Sequence, residues 1–419
     1  MGETDRRSLR AQAVSAFEKG VAAADPRDAT GKALGRFFDP AQVEGDLYIL
    51  AIGKAALGMA QAAQDALSPA KIKHVLAVTN YENAIECEGI EVLAAGHPVP
   101  DENGAKAALR VEDMLQQAKS GDVILALVSG GSSALLPAPI QGLTLADKIK
   151  VNEILLGSGL DIGSMNIIRQ ALSRTKGGKL LSQALPAKMI SFVLSDVLGD
   201  DMRLVGSGPT IGPVGGPEEA RRILQIEGLW ESLPSAVQDA LTIAETGGDL
   251  PEPEAYLIGS NSLSLKTMAK AMSARISTPA LEGDVQAAAE RVVREALTLK
   301  PGEALAFGGE TTVVLKGSGL GGRNQELALR VAQEAARQKL PGAWVFLSGG
   351  TDGRDGPTDA AGGLVDDQTL ARLAALDVSL TDHLDNNDSY AALKAAGDLL
   401  MTGATGTNVA DLQIFMRAG

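Results

Sequence analysis

A single cysteine, Cys87, among 419 residues rules out an intramolecular disulfide and leaves packing to hold the fold. The three histidines, His74, His97 and His383, form no Cys/His spacing suited to zinc. Aromatic residues make up 3% of the chain, so its cores must be aliphatic and the stacking platforms of single-strand nucleic-acid proteins are missing. Basic residues are also in the minority, 38 Lys and Arg against 52 Asp and Glu, for a formal charge of -14. That balance disfavours nucleic acid and anionic membrane surfaces, and any anionic ligand must find a local basic pocket. Apolar runs stay short: residues 123–128, about six in a row, fall far below the roughly 20 that span a bilayer. The opening MGETDRRSLRAQAVSAFEKG is charged and helix-patterned, without the apolar core of a secretory signal. These absences predict a cytoplasmic setting and small-molecule partners, with no nucleic acid and no membrane; a homo-oligomer is left open.

What the chain does have is a rhythm. Short aliphatic runs at 47–52, 75–79, 123–128 and 189–194 alternate with amphipathic stretches such as 101–119. This alternation predicts an α/β fold whose first sheet is largely parallel and doubly wound. A hydrophobic fraction of 45% over this length suits two cores. The Pro- and Gly-rich TGGDLPEPE at 246–254 supplies the boundary, giving domains at 1–250 and 251–419. A second series of strands is then expected at 255–258, 304–307, 311–315, 344–347 and 412–415. Which domain the N-terminal helix packs on is left open.

The loops after these strands carry unusual chemistry. SGGTDGRDGPTD, which follows the run at 344–347, crowds Asp352, Asp355 and Asp359 into one glycine-rich turn, where the carboxylates repel unless a cation or donors offset them. Lys54 stands at the exit of the first strand and the start of a helix, where its charge opposes the helix dipole and suits an anionic ligand. Ser129, Gly130, Gly131, Ser132 and Ser133 follow a fully apolar strand and offer amides and hydroxyls to a phosphate or carboxylate. The Walker A spacing is absent throughout. Arg169, Arg174, Lys176 and Lys179 gather in an otherwise acidic chain, and Asp196 and Asp200 follow the strand at 189–194, within reach of a metal or an ordinary turn. Late in the chain, Gly317, Gly319 and Gly322 match G-x-G-x-x-G between a strand and a helix. That spacing alone is weak evidence for a dinucleotide, and the next residue, Arg323, can instead grip a carboxylate or phosphate with two prongs.

Taken in order, GKA (53–55), GHPVPDENG (96–104), SGGSSAL (129–135), SRTKGGKL (173–180), SDVLGDD (195–201), GSGPT, IGSN, GGETTV, GGRNQELAL, SGGTDGRDGPTDAAGG and TGATGTNVADL (402–412) resemble the glycerate 2-kinase family, whose C-terminal portion is called MOFRL. The match covers essentially the whole chain. It implies a Rossmann-like N-terminal domain, a second α/β domain of MOFRL type, and an active site in a cleft between them. It also implies transfer of the γ-phosphoryl group of ATP, with Mg²⁺, to the 2-hydroxyl of D-glycerate. Lys54 and Arg323 match the family's two basic catalytic residues, with Asp196, Asp352 and Asn408 also at its motif positions. The shared motifs add Glu310, Thr311 and Asn324 as substrate or phosphate contacts, and Gly349, Gly350, Thr351 and Gly353 for the nucleotide. One or two of Asp196, Asp200, Asp352 and Asp355 suffice for Mg²⁺, which keeps several waters. The glycerate carboxylate has two candidate seats, the 129–133 loop and the Arg169 and Lys176 pair. One departure is a serine where the family's serine-glycine loop often has a third glycine. Some members carry the label hydroxypyruvate reductase, an alternative that requires NAD(P)H at a glycine loop.

Overall fold

The computed structural model describes residues 3–243 and 250–419. In chain order its elements begin α1 (Glu3–Ala22), α2 (Pro26–Phe37), β1 (Leu47–Ile52), α3 (Ala56–Ala66), β2 (Ile72–Asn80), β3 (Glu91–Ala95), α4 (Glu102–Gln117) and β4 (Val123–Ser129). There follow α5 (Ser132–Leu135), α6 (Leu145–Gly157), α7 (Ile162–Ala171), α8 (Lys179–Gln183), β5 (Lys188–Leu194), α9 (Pro217–Ile226), α10 (Ser235–Ile243), β6 (Glu254–Gly259), α11 (Asn261–Ala271), β7 (Arg275–Ile276) and β8 (Leu281–Asp284). The rest are α12 (Val285–Ala296), β9 (Ala304–Thr312), α13 (Arg323–Arg337), β10 (Trp344–Gly350), β11 (Gly362–Asp366), α14 (Thr369–Ala375), α15 (Leu380–Asp385), α16 (Ser389–Ala396), β12 (Leu399–Leu400) and β13 (Asp411–Arg417). They form two compact units, one of residues 26–197 and 201–258, the other of the chain up to Asp25, residues 198–200 and 259–419.

In the first unit a six-stranded sheet runs β3-β2-β1-β4-β5-β6. Every residue of β1 and β4 is buried, because helices cover both faces, and this is why the two strands read as unbroken apolar runs. Leu47 pairs in parallel with Ile72 on one side and Val123 on the other. The order reverses between β1 and β4, so the loops leaving their carboxyl ends diverge around a crevice, the usual ligand position in open α/β sheets. Helix α4 shows how the layers form: Asp101 caps it by accepting from the Gly104 amide at 2.9 Å, and Ala107, Ala108, Val111, Met114 and Leu115 recur at helical spacing to face the sheet. Helices α6, α7, α9 and α10 bury a separate aliphatic cluster that includes Val151, Leu155, Ile168, Leu224 and Leu241.

The run at 255–258, expected to open the second series, instead ends the first sheet as its edge strand β6. Tyr256 stacks on Phe37 with ring centroids 4.2 Å apart, and Glu254 pairs with Lys188 at 2.7 Å, which fixes the strand there. The long C-terminal segment of the second unit accordingly begins at Gly259, and residues 244–249 of the expected boundary lie outside the described residues.

The second unit holds a mixed sheet, β12-β11-β10-β13-β9-β7, with β8 also paired to β9. β10 and β13 run antiparallel, Phe346 opposite Phe415. Helices α12 and α13 cover one face, around Phe307, Phe346 and Phe415. Helices α1 and α11 cover the other, around Phe17, Met268, Leu347 and Ile414. The N-terminal helix thus packs on the second unit, and ion pairs pin it: Arg6 to Asp367 at 2.9 Å, and Arg10 to Asp366 at 2.6 Å and Asp398 at 2.9 Å. The expected pair of strands at 304–307 and 311–315 is one strand, β9. Gly308 and Gly309 admit the Asn261 side chain and the Leu281 backbone where any Cβ would collide, so the strand passes through without a break.

Candidate active site

The carboxyl ends of β1, β4 and β5 bring Lys54, residues 129–133 and Asp196 together, as their placement after apolar strands predicts. The backbone amide of Lys54 donates to the Gly130 carbonyl at 2.9 Å, and the Ala55 amide donates to Ser129 Oγ at 3.1 Å, so the loops after β1 and β4 are stitched edge to edge. Gly53, at φ 130, permits this approach, since a Cβ there would run into Ser129. A Cβ at Gly130 would overlap the Asp196 carboxylate, and one at Gly131 would stand 3.1 Å from Lys54 Cγ and 3.2 Å from the His97 ring. The glycines therefore do more than turn the chain, for they make room for three chemical side chains to converge.

The electrostatics of this cluster are unbalanced. Among the described residues the Lys54 ammonium has no hydrogen bond or ion pair. Burial pushes the Asp196 carboxyl up, against its own backbone N–H and the charge of Lys54. Burial and then Lys54 hold the His97 imidazole below its ordinary value, with Glu82 opposing. Ser132 Oγ is buried without a partner, while Ser133 and Ser207 share a hydrogen bond at 3.1 Å. A free cation, a carboxyl disposed to take up a proton and an unsatisfied hydroxyl suit a phosphorylated ligand.

The basic run at 169–179 divides by role. Lys176 is 1% exposed and donates to the Ser133 carbonyl at 2.8 Å, so it braces the 129–133 loop from beneath. Lys179 donates to the Gln170 and Ser173 carbonyls at 2.8 and 2.5 Å, satisfying carbonyls at the end of α7, with its pKa lowered by burial to about 8. Arg174 is paired with Glu112 at 3.0 Å. Arg169 opens on a cavity of about 210 Å³ that it shares with His97, Gly131, Ser133, Asn152 and Lys148. Lys148 was not singled out from the sequence, where it is one lysine of an ordinary amphipathic helix.

In the second unit Arg323 begins α13, and Asp411 grips it with two bonds, Nε donating at 2.7 Å and Nη2 at 3.0 Å, while Glu310 takes Nη1 at 2.8 Å. Burial opposes the guanidinium charge, but Asp411 and Glu310 more than offset it and raise its pKa. Asp411, 1% exposed, is a partner that sequence reading missed, since it lies 88 residues away.

The aspartates of the 350s do not form the crowded turn expected of them. Asp352 accepts from the Arg354 amide at 3.0 Å, and Asp359 accepts from the Tyr390 hydroxyl at 2.7 Å. Asp355 turns inward to the start of α13, accepting from the amides of Asn324 at 3.1 Å and Gln325 at 2.8 Å; burial nevertheless lifts its pKa to about 6. Buried Asn324 accepts from Ser348 Oγ at 2.6 Å, and Asn408 accepts from the Ala410 amide at 3.1 Å. Gly349 packs against Phe17 and Leu400 inside β10, Thr351 Oγ1 donates to the Ala410 carbonyl at 2.6 Å, and the Gly403 carbonyl backs Gly353. Gly350 also lies in β10, and Thr311 is buried in β9. The buried residues of this stretch, Thr351, Gly353 and Asp355, are taken up by the protein's own contacts, while Arg354 and Asp359 are exposed. Asp200, at φ 59, has a buried Oδ1 without a partner. Among the described residues no group of three or more His, Cys, Asp or Glu is arranged to hold a metal ion.

The G-x-G-x-x-G loop is likewise spent. The amides of Lys316 and Gly317 donate to Asn387 Oδ1, that of Ser318 to Asn386 Oδ1, that of Gly319 to the Asn386 carbonyl and that of Leu320 to Asp388 Oδ1. Asp355 occupies the helix N-terminus where a pyrophosphate would lie in a dinucleotide fold.

Comparison with known proteins places the chain in a wider group. Residues 12–242 match a family described as a domain of unknown function, DUF4147, and residues 303–411 match the MOFRL family. The chain is 39% identical to D-glycerate 2-kinase of Thermotoga maritima over 98% of its own length and 99% of the relative's. It is 37% identical to a putative hydroxypyruvate reductase of Agrobacterium vitis, over 96% and 92% of the two chains. The crystal structure of glycerate kinase from Thermotoga maritima superposes with a TM-score of 0.90 at 37% identity, over 98% of this chain and all of the other.

Proposed function

This chain belongs to the glycerate kinase family that joins a DUF4147 region to a MOFRL region, and from that premise we propose that it transfers the γ-phosphoryl group of ATP to the 2-hydroxyl of D-glycerate. The observation that carries the proposal is the free Lys54 ammonium beside Gly131 and Asp196 at the reversal of the first sheet. Phosphoryl transfer asks for positioning and neutralisation of charge more than for covalent help, and an uncommitted lysine over a glycine loop supplies both. The 129–133 loop holds transferring phosphate oxygens with its amides and with the Ser132 hydroxyl. Asp196, raised by burial, takes the proton of the attacking hydroxyl. Within the second unit, Arg323 stays charged through Asp411 and turns its other edge to the exposed Glu310.

Mg²⁺, when bound, would neutralise phosphate charge. Of the four candidate aspartates, Asp200 fits as its ligand, through its unpartnered Oδ1. Asp355 fits less well, because backbone amides hold both of its oxygens. No described helix is long and apolar enough to cross a membrane, and a cytoplasmic setting agrees with the single cysteine. The reductase reading needs NAD(P)H at a glycine loop, and the amides of residues 316–320 in that loop are already bonded.

The test is ADP release coupled to D-glycerate with ATP and Mg²⁺, run beside NADH oxidation with hydroxypyruvate, on wild type and Lys54→Ala. Glycerate-dependent ADP release that disappears in the variant is expected. Hydroxypyruvate-dependent NADH oxidation without ADP release would overturn the reading.

A further inference from the structure

A cavity lies beside the 129–133 loop, apart from the Lys54 ammonium. Its two sides come from different parts of the first unit. His97, Gly131 and Ser133 form the side nearest Lys54, while α6 and α7 bring Lys148, Asn152 and Arg169 to the other. Much of the remaining wall is aliphatic, with Val151 and Leu172 among its residues.

The charges on this wall are uncompensated. Arg169 donates through Nε and Nη2 to the single oxygen Asn152 Oδ1, at 3.1 and 2.7 Å, which fixes its plane but leaves its charge unpaired. The Lys148 ammonium has no hydrogen bond and no ion pair among the described residues. Lys176 lies close enough for its charge to be felt, and it is committed to the Ser133 carbonyl. Burial and then Arg169 lower the Lys148 pKa to about 8, and no acid acts in the opposite direction. In a chain with a formal charge of -14, three cations without a carboxylate among them form an exception. Half-buried cations with no acid beside them are stabilised when an anion joins them, and the aliphatic wall strengthens their pull on that anion.

We propose that this cavity holds the carboxylate of the phosphoryl acceptor, with Lys148 and Arg169 as its charge partners. The inference rests on the kinase reading and chooses between the two seats left open for that carboxylate. In a 2-hydroxy acid the reacting hydroxyl is one carbon from the carboxylate, so it lies toward His97 and Gly131, the residues that border Lys54. The aliphatic wall accepts a methyl or ethyl group in place of the hydroxymethyl of glycerate. The acceptor class is therefore short-chain 2-hydroxycarboxylates, and D-lactate and D-2-hydroxybutyrate belong to it.

Steady-state kinetics on the full chain supply the first arm. Lys148→Met is expected to raise the glycerate KM tenfold or more and leave the ATP KM unchanged, while Lys148→Arg restores most of the affinity. The variant is also expected to melt at a higher temperature than wild type without ligand, since it removes an unpaired, half-buried cation from an aliphatic wall. A merely structural lysine would shift melting the other way. The second arm is calorimetric titration without nucleotide, comparing D-lactate with neutral 1,2-propanediol. Wild type is expected to bind the first and not the second, and Lys148→Met to bind neither. This arm reads the cavity even if glycerate-dependent ADP release is absent, so failure of the kinase reading and failure of the cavity are separable. An elevated ATP KM with unchanged glycerate KM would give the cavity to the nucleotide. Equal binding of D-lactate to wild type and variant would overturn the proposal outright.

Discussion

Two glycine-rich loops in this molecule look alike on paper, SGGSS at 129–133 and GSGLGG at 317–322, each between a strand and a helix. In the first, the glycines make room for Lys54, His97 and Asp196, and a cation and a hydroxyl are left without partners. In the second, Asn386, Asn387 and Asp388 take the backbone donors one after another, and Asp355 fills the helix N-terminus. The contrast lies in what remains unpaired. Glycine spacing marks a backbone that approaches something closely, and the partners decide whether that something is a ligand or the protein itself.

The largest effect expected from this contrast comes from the unpaired side. Lys54→Ala should lower kcat by roughly 10³-fold, in the range for loss of a charge-stabilising residue in phosphoryl transfer. Its melting temperature should match wild type, because no described residue bonds to the ammonium. Arg323→Ala should lose activity as well, but it also strands Asp411 in the interior, and breaking such a buried pair costs about 3–5 kcal/mol. Urea unfolding of the two variants therefore separates them. If both prove equally stable, Arg323 is less committed to Asp411 than the bidentate geometry implies.

How much of this was readable beforehand follows the same division. Strands β1, β4 and β5 were legible because their residues are buried on both faces, which forces unbroken apolar runs. Lys54, the 129–133 loop and Asp196 were legible because ligands gather beyond such strand ends. β6 was assigned to the wrong series, since a half-buried edge strand reads the same in either sheet and only Phe37 and Lys188 decide its place. The directions of Asp355 and Asp359 depend on α13 and Tyr390, about 30 residues distant in sequence, and no local pattern encodes them. Lys148 carried no signal at all. It gains meaning only when α7 and the His97 loop close around it.

The paired loop yields a smaller effect of the opposite kind. Asn387→Ala removes the acceptor of two backbone amides, from Lys316 and Gly317, and its amide nitrogen also donates to Glu326 at 3.3 Å. Losing that acceptor should cost about 1–3 kcal/mol of stability, measured as a lower urea midpoint. Glycerate-dependent ADP release at saturating substrate should stay near the wild-type level, because this loop is bonded to the protein and not to the ligand. A fall in kcat to the level of Lys54→Ala would mean that the two loops are not opposites after all.

The finest distinction concerns pH and the cavity beside the first loop. The charges that face Lys148 are those of Arg169 and Lys176, with His97 on the opposite wall, and its pKa of about 8 lies below the ordinary lysine value of 10.5. A lysine whose folded pKa is depressed makes the native state less stable while it must carry its proton, below about pH 8. That penalty is relieved between pH 8 and 10.5, where the unfolded chain still binds the proton. Carboxylate binding has the opposite sign, since it needs the charged form and weakens as pH rises through 8. In wild type, then, the glycerate KM should climb severalfold from pH 7 to pH 9 as the Lys148 share of stability improves. Lys148→Arg should flatten the KM profile over that range, because a guanidinium keeps its proton. A profile that stays steep in Lys148→Arg would assign the titration to another group and sever the pH dependence from the cavity.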